Sequence, residues 1–326
     1  MRHRFAAILF VSVCAVASGA RSFAAIAEWA ADAVGDAVDD TLRRLGIGAP
    51  NASTIRRALS ALSGDGFDTA ISRFLAGRLA AARATSATAK AGKRMRRHAI
   101  AVDGKILRGS RNDDSRARML MACLDHAAGV TLGQVEISEK TNEIPMFSIL
   151  LDQIDDLTGM VVTADALHAQ REHAEYLHRR SAHYVLTVKG NQQSLRRQLA
   201  GQPWKDVPVG HRETDNSHGR MVTRTYKVIT TATGILFPHA AQAVQIIRTR
   251  KPKNKRGSRR TQRETDYAIT SLTAEQAHPA ELARYIRGHW HVENKLHWSA
   301  TSPWAKTPHR SPPAQAPAPW PESATS

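Results

Sequence analysis

Two aspartates of this sequence stand where a carboxylate could do chemistry. Asp103 lies in Ala-Val-Asp-Gly-Lys, where an acid interrupts an otherwise apolar run and the glycine after it allows close backbone approach. Asp165 follows the apolar run Val-Val-Thr-Ala, at the carboxyl end of a predicted buried strand, where α/β proteins tend to place their sites. A buried acid is costly unless it is paired or binds a metal, although a strand-end Asp more often caps the next helix.

A third acid, Glu293, lies in the run Gly-His-Trp-His-Val-Glu-Asn-Lys-Leu-His-Trp. His289, His291 and His297 of the same run make a zinc pair at i, i+4 spacing conceivable. The run lacks the His-Glu-x-x-His signature, and its tryptophans favour packing or DNA contact over a zinc shell. We therefore do not expect zinc here.

The elements that must position these acids follow from the periodicity of the chain. Strands are predicted at 98–107, 119–125 and 132–138, and helices over 144–154 and 170–180 alternate with strands at 160–164 and 184–188. This is the order of the RNase H-like fold, in which the first and fourth strands lie side by side. Asp103 and Asp165 would then converge and share hard cations through oxygen ligands.

The fold class expected is α/β, an RNase H-like mixed sheet flanked by helices, with an N-terminal all-helical domain and a β-rich insertion. We predict the helical domain over 1–90, the first part of the catalytic core over 96–200 and the insertion over 201–274. One long helix over 275–298 then carries Glu293, and a disordered tail follows over 299–326.

The charge of the chain points to a polyanionic partner. Lys and Arg number 46 against 29 Asp and Glu, a net charge of +17 over 326 residues, which favours nucleic acid through phosphate neutralisation and counterion release. Basic ribosomal and membrane-surface proteins share this signature, so charge alone says nothing of chemistry. Cys14 and Cys123 are too few for a disulfide framework or a cysteine zinc site, which fits a reducing compartment.

The N-terminus allows two interpretations. Arg2 and Arg4 precede a nearly apolar run from Phe5 to Ala20, which is typical of a secretory signal peptide and would predict a secreted basic protein. The apolar pattern continues at helical spacing into Phe23, however, so the run also fits a buried helix followed by an amphipathic one. The rest of the chain favours the second interpretation and a cytoplasmic protein.

Six segments together resemble the H-repeat-associated, insertion sequence four-like branch of bacterial insertion-sequence transposases of the DDE type. The resemblance runs from about residue 2 to 298. Its six segments are Arg21-Ser-Phe-Ala-Ala-Ile-Ala-Glu-Trp, Ala-Val-Asp103-Gly-Lys, Glu139-Lys-Thr-Asn-Glu-Ile, Thr-Ala-Asp165-Ala, Tyr184-Val-Leu-Thr-Val-Lys-Gly-Asn-Gln and Gly288-His-Trp-His-Val-Glu-Asn-Lys-Leu-His-Trp. The resemblance implies that the apolar N-terminus belongs to a helical associated domain, and that Met1 lies a little inside the usual start.

The resemblance also implies a chemistry. Asp103, Asp165 and Glu293 would be the catalytic, metal-binding triad of a two-metal phosphoryl transfer that uses Mg²⁺, with Mn²⁺ as a substitute. The enzyme would nick double-stranded DNA at the ends of its element, and the freed 3′-hydroxyl would attack target DNA. We expect a homodimer on DNA, no membrane partner, no nucleotide cofactor and no covalent protein intermediate.

Candidate DNA-binding residues follow from position and charge. Lys189, Asn191 and Gln192 lie just beyond the fifth predicted strand and could hold the DNA backbone, or they could be simple turn residues. Lys105 is a further candidate. The run 248–263 holds nine Lys or Arg and no acid, as either a disordered hairpin tip or a phosphate-gripping loop. Its candidates are Arg248, Arg250, Lys251, Lys253, Lys255, Arg256, Arg259 and Arg260.

The chain departs from the family pattern after Trp298. Its last 28 residues hold seven of the 14 prolines and no hydrophobic periodicity. Residues Ser299 to Pro308 can be encoded, one base out of frame, by nucleotides for Val-Arg-Asp-Val-Thr-Leu-Gly-Glu-Asp-Ala, the kind of segment that relatives carry there. We hypothesise a single-base frameshift that leaves this copy inactive. The main alternative is a non-catalytic DNA-binding relic of a transposase.

Overall fold

The computed structural model describes residues 4–32, 40, 43–44, 49–88, 96–106, 118–138, 142–217, 220–231, 235–252 and 261–301. The chain divides into two compact units, Met1–Leu59 and Ser60–Thr301. Of the predicted features, the tail from residue 302 onward and half of the basic run 248–263 lie outside the described residues.

The described secondary structure of the first unit is helical. The helices whose bounds are described there are α1 (Phe5–Ala17), α2 (Phe23–Asp32) and α3 (Ala52–Ser60). The signal-like run forms α1, which packs against α2, and both bury small apolar side chains around Ile26 and Ile55. Asn51 caps α3, because its Oδ1 accepts a hydrogen bond from the Thr54 amide at 2.8 Å. Within the part of the chain that is described, no helix is long and apolar enough to cross a bilayer.

The second unit is built on one sheet whose described part has nine strands. The strands are β1 (Ala99–Ile106), β2 (Met119–Asp125), β3 (Thr131–Ile137), β4 (Val161–Ala164), β5 (His183–Val188), β6 (His211–Ser217), β7 (Arg220–Thr230), β8 (Gln242–Pro252) and β9 (Gln262–Thr270). Their order across the sheet is β3-β2-β1-β4-β5-β9-β8-β7-β6. The pairs β1–β4 and β4–β5 are parallel, and the other neighbours are antiparallel.

Helices cover both faces of the sheet. The helices of this unit are α4 (Gly64–Thr88), α5 (Glu143–Leu151), α6 (Arg171–Arg179), α7 (Gln193–Ala200) and α8 (Pro279–Thr301). One core joins Ile100, Val162 and Leu186 to side chains of α5 and α6. A second core joins the neighbouring residues Val161 and Val185 to side chains of α8. Successive residues of β1, β4 and β5 therefore alternate between an α5/α6 face and an α8 face, because side chains alternate along a strand.

The mixed α/β fold and the order of its first five strands agree with the sequence prediction. Further along, β6 to β9 join the same sheet, with β9 pairing beside β5, a placement that the prediction of a β-rich insertion did not specify. The single helix predicted over 275–298 is present as α8, but it begins at Pro279 and not at residue 275. Pro279 takes the first helical position, and the Glu281 carboxylate accepts a hydrogen bond from the His278 amide at 3.2 Å. The RNase H-like assignment and the domain boundaries stay predictions.

The packing of α8 against the sheet can be tested at Gly288. A Cβ on Gly288 would collide with the His126 ring at the end of β2, so Gly288→Ala must move either the ring or the helix. We expect a loss of about 1–3 kcal/mol of unfolding free energy, measured by urea denaturation. Gly77→Ala on α4 is the control, because a Cβ there meets nothing within 4 Å and should be neutral or stabilising. An unchanged midpoint for Gly288→Ala would contradict the close approach of α8.

Candidate active site

The sheet brings Asp103 and Asp165 to one level on adjacent strands. In the parallel pair β1–β4, Val102 lies opposite Ala164, so the next residue on each strand is one of the two aspartates. Strand alternation places both on the α8 face of the sheet, because Val102 and Ala164 belong to the α5/α6 core. The two carboxylates predicted from sequence to converge do so.

The two aspartates line a common cleft of about 140 Å³ with Thr187, Lys189, His289 and Trp290. Thr187 and Lys189 come from β5 and the residue after it, and the last two from α8. Glu293 belongs to α8 one turn beyond His289, and its side chain lies outside the described part. The structure thus brings together two of the three predicted acids and leaves the third as a prediction.

Opposing electrostatic effects act on the Asp103 carboxyl group. Burial raises its pKa above the usual value, and the nearby carboxylates of Asp165 and Glu143 raise it further. The Lys105 ammonium opposes this shift, since its Nζ lies 2.5 Å from Asp103 Oδ2 and the lysine side chain is only 4% exposed. Lys105, predicted as a DNA contact, is therefore engaged with Asp103 in this structure.

Asp165 has a second role in the local fold. Its Oδ1 accepts a hydrogen bond from the Leu167 amide at 2.9 Å and so caps the short 3₁₀ turn Ala166–His168. The cap fixes one oxygen of the carboxylate at the end of β4. The catalytic and the capping interpretations of this strand-end Asp are thus compatible in one residue.

The donor set fits a divalent metal. No three described His, Cys, Asp or Glu side chains are arranged as a metal site by themselves. The cleft nevertheless offers two carboxylates on neighbouring strands, and their mutual repulsion is relieved by a cation. Asp103 and Asp165 are therefore the described residues that could hold Mg²⁺.

The three residues after β5 that were predicted to contact DNA have different surroundings in the structure. Lys189 is exposed, lines the cleft, and its Nζ lies 5.9 Å from the Trp290 ring centroid. Asn191 braces the neighbouring turn, because its Nδ2 donates to the Ala166 carbonyl at 2.7 Å. Gln192 precedes α7, and its side chain makes no capping hydrogen bond. Lys189 is the one of these three whose side chain lines the cleft.

The basic run begins and ends in strands. Arg248 and Arg250 lie on β8, where both are in ion-pair reach of Glu264, and Lys251 lies near the end of that strand. The Arg248 guanidinium also lies 4.6 Å above the Trp290 ring centroid, beside the cleft. Lys253, Lys255, Arg256, Arg259 and Arg260 lie outside the described residues.

Sequence reasoning gave no role to Glu143, which lies close to the acids. Its carboxylate occupies the space where a Cβ on Gly104 would stand, and it faces His168 with 3.4 Å between Oε2 and Nε2. Gly104 was the available signal, because a glycine next to a buried strand acid indicates a close neighbour. The identity of that neighbour depends on α5 and could not be predicted locally.

Behind the cleft, a hydrogen-bonded group ties α8 to the sheet. The Thr163 hydroxyl lies 2.8 Å from His126 Nε2 and 3.3 Å from His289 Nδ1. Burial is the main cause, and the proximity of His289 a second one, of a pKa for His126 that is lowered to about 4. His289 was considered from sequence only as a zinc ligand, and the structure gives it a place in the cleft wall instead.

Comparison with known proteins defines the class. Residues 94–312, more than half of the chain, match the family described as "Transposase DDE domain", and residues 1–75 match "DDE_Tnp_1-associated". A piggyBac transposase in a synaptic complex with hairpin DNA is a solved structure with 12% identity and a TM-score of 0.34, over 64% of this chain and 41% of that one. Because the family model covers more than half of the chain, the protein belongs to the DDE transposases.

Similar proteins identify the branch of the transposase family. The chain is 29% identical over 318 residues to the "H repeat-associated putative transposase YhhI" of Escherichia coli strain K12, covering 91% of this chain and 77% of that protein. It is 26% identical over 316 residues to the "Putative transposase YncI" of Escherichia coli O157:H7, covering 91% and 74%. The chain belongs to the H-repeat family of insertion-sequence DDE transposases, which confirms the resemblance drawn from its motifs.

His126 predicts a pH dependence of stability. Its folded pKa of about 4 lies below the ordinary 6.5, so the unfolded chain binds the proton more tightly. The stability linked to this residue is complete above pH 6.5 and is lost as the pH falls towards 4, by up to about 3 kcal/mol. Urea denaturation of wild type and His126→Gln across this range should show a shallower loss in the variant. Parallel profiles would contradict the assignment.

Proposed function

We propose that this transposase cleaves DNA strands at the ends of its element and transfers them to target DNA in a metal-dependent reaction. The observation that carries the proposal is the pairing of Asp103 and Asp165, on neighbouring parallel strands, in the wall of one cleft. Carboxylates so placed can bind divalent cations beside a scissile phosphate.

Each side chain of the cleft has a part in this proposal. Asp103 and Asp165 would hold Mg²⁺ or Mn²⁺, and Glu293, one turn beyond the cleft residue His289, would complete the set. Bound divalent cations supply charge stabilisation for the phosphate and lower the pKa of a hydroxyl nucleophile. The Lys105 ammonium neutralises Asp103 when no cation is bound, and it would be released towards a DNA phosphate when one is.

DNA is the substrate that the surrounding charge supports. Lys189 lies at the cleft, Arg248 of β8 lies over the cleft residue Trp290, and the chain carries +17 overall. Such cations position a duplex through its phosphates without reading its sequence. Because an element has two ends to cut, we infer that a homodimer acts on DNA. We further propose that the reaction takes place in the cytoplasm and uses no nucleotide cofactor.

Nicking of DNA tests the enzyme directly. We expect the protein with Mg²⁺ or Mn²⁺ to nick supercoiled plasmid that carries the flanking repeats of its gene. Asp103→Asn and Asp165→Asn should each lower the rate at least about a hundredfold, because each removes a metal-binding charge. Both variants should keep salt-sensitive DNA binding. Binding without nicking in any form of the protein would favour the non-catalytic relic instead.

The composition of the tail leads to a second prediction. If a lost base replaced the segment behind Glu293, restoring one base at codon 299 should reopen a family-like frame. Helix ends need packing partners to hold a ligand in place, so the frame-restored protein should nick faster than the present chain. The comparison uses both proteins at equal concentration on the same plasmid. Equal rates, or no open frame after restoration, would contradict the frameshift.

A further inference from the structure

We propose that Glu143 is a positioning residue, which together with His168 holds the ends of β1 and β4 in place and so fixes the separation of Asp103 and Asp165. This inference rests on the proposed function, because it concerns the same two acids. Glu143 belongs to the segment Glu139-Lys-Thr-Asn-Glu-Ile, one of the six that carry the family resemblance. Neither the cleft nor the DNA contacts described above give that segment a role.

The Glu143 carboxylate lies against the backbone of Gly104, the residue after Asp103. A Cβ on Gly104 would fall among the carboxylate carbon and both of its oxygens, so only a glycine leaves room for the side chain in this position. Burial raises the pKa of Asp103, and the nearby Glu143 charge is among those that raise it further. Glu143 therefore contacts β1 at the point where the strand presents Asp103 to the cleft.

The same carboxylate faces the turn that follows Asp165. His168 ends the 3₁₀ turn Ala166–His168 that Asp165 caps, and its Nε2 lies 3.4 Å from Glu143 Oε2. The His168 ring also packs against Phe147, with 5.2 Å between the ring centroids. Two side chains one helical turn apart on α5 therefore hold the turn that begins at Asp165.

The stability of the fold does not account for this buried pair. The His168 side chain is 1% exposed and that of Glu143 is 14% exposed. Neither ring nitrogen of His168 forms a hydrogen bond with any residue that the structure describes. Replacing a buried polar pair by apolar side chains of similar volume is often neutral or stabilising, so stability alone gives no reason to keep it. Its position between the two acids gives one.

The backbone pairing of β1 and β4 stops just short of the two acids. Their parallel ladder ends at Val102 and Ala164, one residue before each aspartate. The contact of Glu143 with His168 joins the two chain segments beyond that point, where the carboxylates repel each other. A divalent cation needs its carboxylate ligands at a set separation, and partners that hold such ligands in place typically change metal affinity about tenfold to a hundredfold.

Binding of Mn²⁺ to the whole chain without DNA tests this role, with free Mn²⁺ measured by electron paramagnetic resonance. We expect Glu143→Ala to weaken Mn²⁺ affinity at least about tenfold, whereas Glu143→Gln, whose side chain is long enough to contact His168, should stay within about threefold of wild type. Glu175→Ala is the matched control and should leave the affinity unchanged. It removes the carboxylate of another Glu–His pair, 2.9 Å from His239 and outside the cleft.

Gly104→Ala separates the position of the Glu143 carboxylate from its charge, because the new Cβ displaces the carboxylate and leaves it ionisable. The clash involves only the end of a flexible side chain, so the variant should fold. We expect Gly104→Ala to weaken Mn²⁺ affinity as Glu143→Ala does, and to add nothing to Glu143→Ala, which has already emptied the space. Wild-type affinity in Gly104→Ala, or equal losses in Glu143→Gln and Glu143→Ala, would overturn the positioning role.

The outcomes distinguish this inference from the proposed function. Glu143→Ala should need about tenfold more Mg²⁺ for half of its maximal nicking rate, with the rate at saturating Mg²⁺ within about threefold of wild type. A residue that only supported the fold would lower thermal stability and leave the Mg²⁺ requirement unchanged. Mn²⁺ binding and nicking that depend on Asp103 but not on Glu143 would overturn the role of Glu143 alone. If neither the present chain nor the frame-restored chain binds Mn²⁺ or nicks DNA in a way that depends on Asp103, both proposals fail.

Discussion

The cleft depends on the placement of two acids at the same level of adjacent parallel strands. Because β1 and β4 pair in parallel, Asp103 and Asp165 stand side by side, each facing the helix α8. Two neighbouring carboxylates in a partly buried cleft repel each other, and burial adds a desolvation cost to the charged form. The fold tolerates the arrangement because Lys105 supplies one positive charge at Asp103. A divalent cation would supply more.

Helices on both faces of the sheet hold the two acids in this position. Helices α5 and α6 fill the opposite face of β1, β4 and β5 with apolar side chains, which leaves the acids on the face of α8. Glu143 of α5 reaches the edge of β1 at Gly104, where no side chain stands in its way. From the other face, α8 brings His289 and Trp290 to the cleft. The site is thus assembled from three strands and two helices that lie far apart in the chain.

Much of this could be predicted from local patterns, and the limits have a physical cause. An acid that ends an apolar strand is visible in the sequence, so Asp103 and Asp165 were predicted, as was their convergence in a fold of this strand order. The pairing of Lys105 with Asp103 was not predicted, because a lysine after a glycine looks like a surface residue until its burial is known. The contact of Thr163 with His289 joins residues 126 positions apart and depends on the docking of α8. The pairing of β9 with β5 is likewise a long-range contact with no local signature.

The contacts of α8 reach beyond the cleft to the far strands of the sheet. Arg287 forms ion pairs with Asp215 and Glu213 of β6, and Arg248 of β8 lies over the Trp290 ring. Because the helix turn that carries His289 and Trp290 is attached in this way, a force applied to the hairpin of β6 and β7 is borne by that same turn. The outer strands and the cleft of Asp103 and Asp165 are therefore mechanically continuous, and tension on one is transmitted to the other.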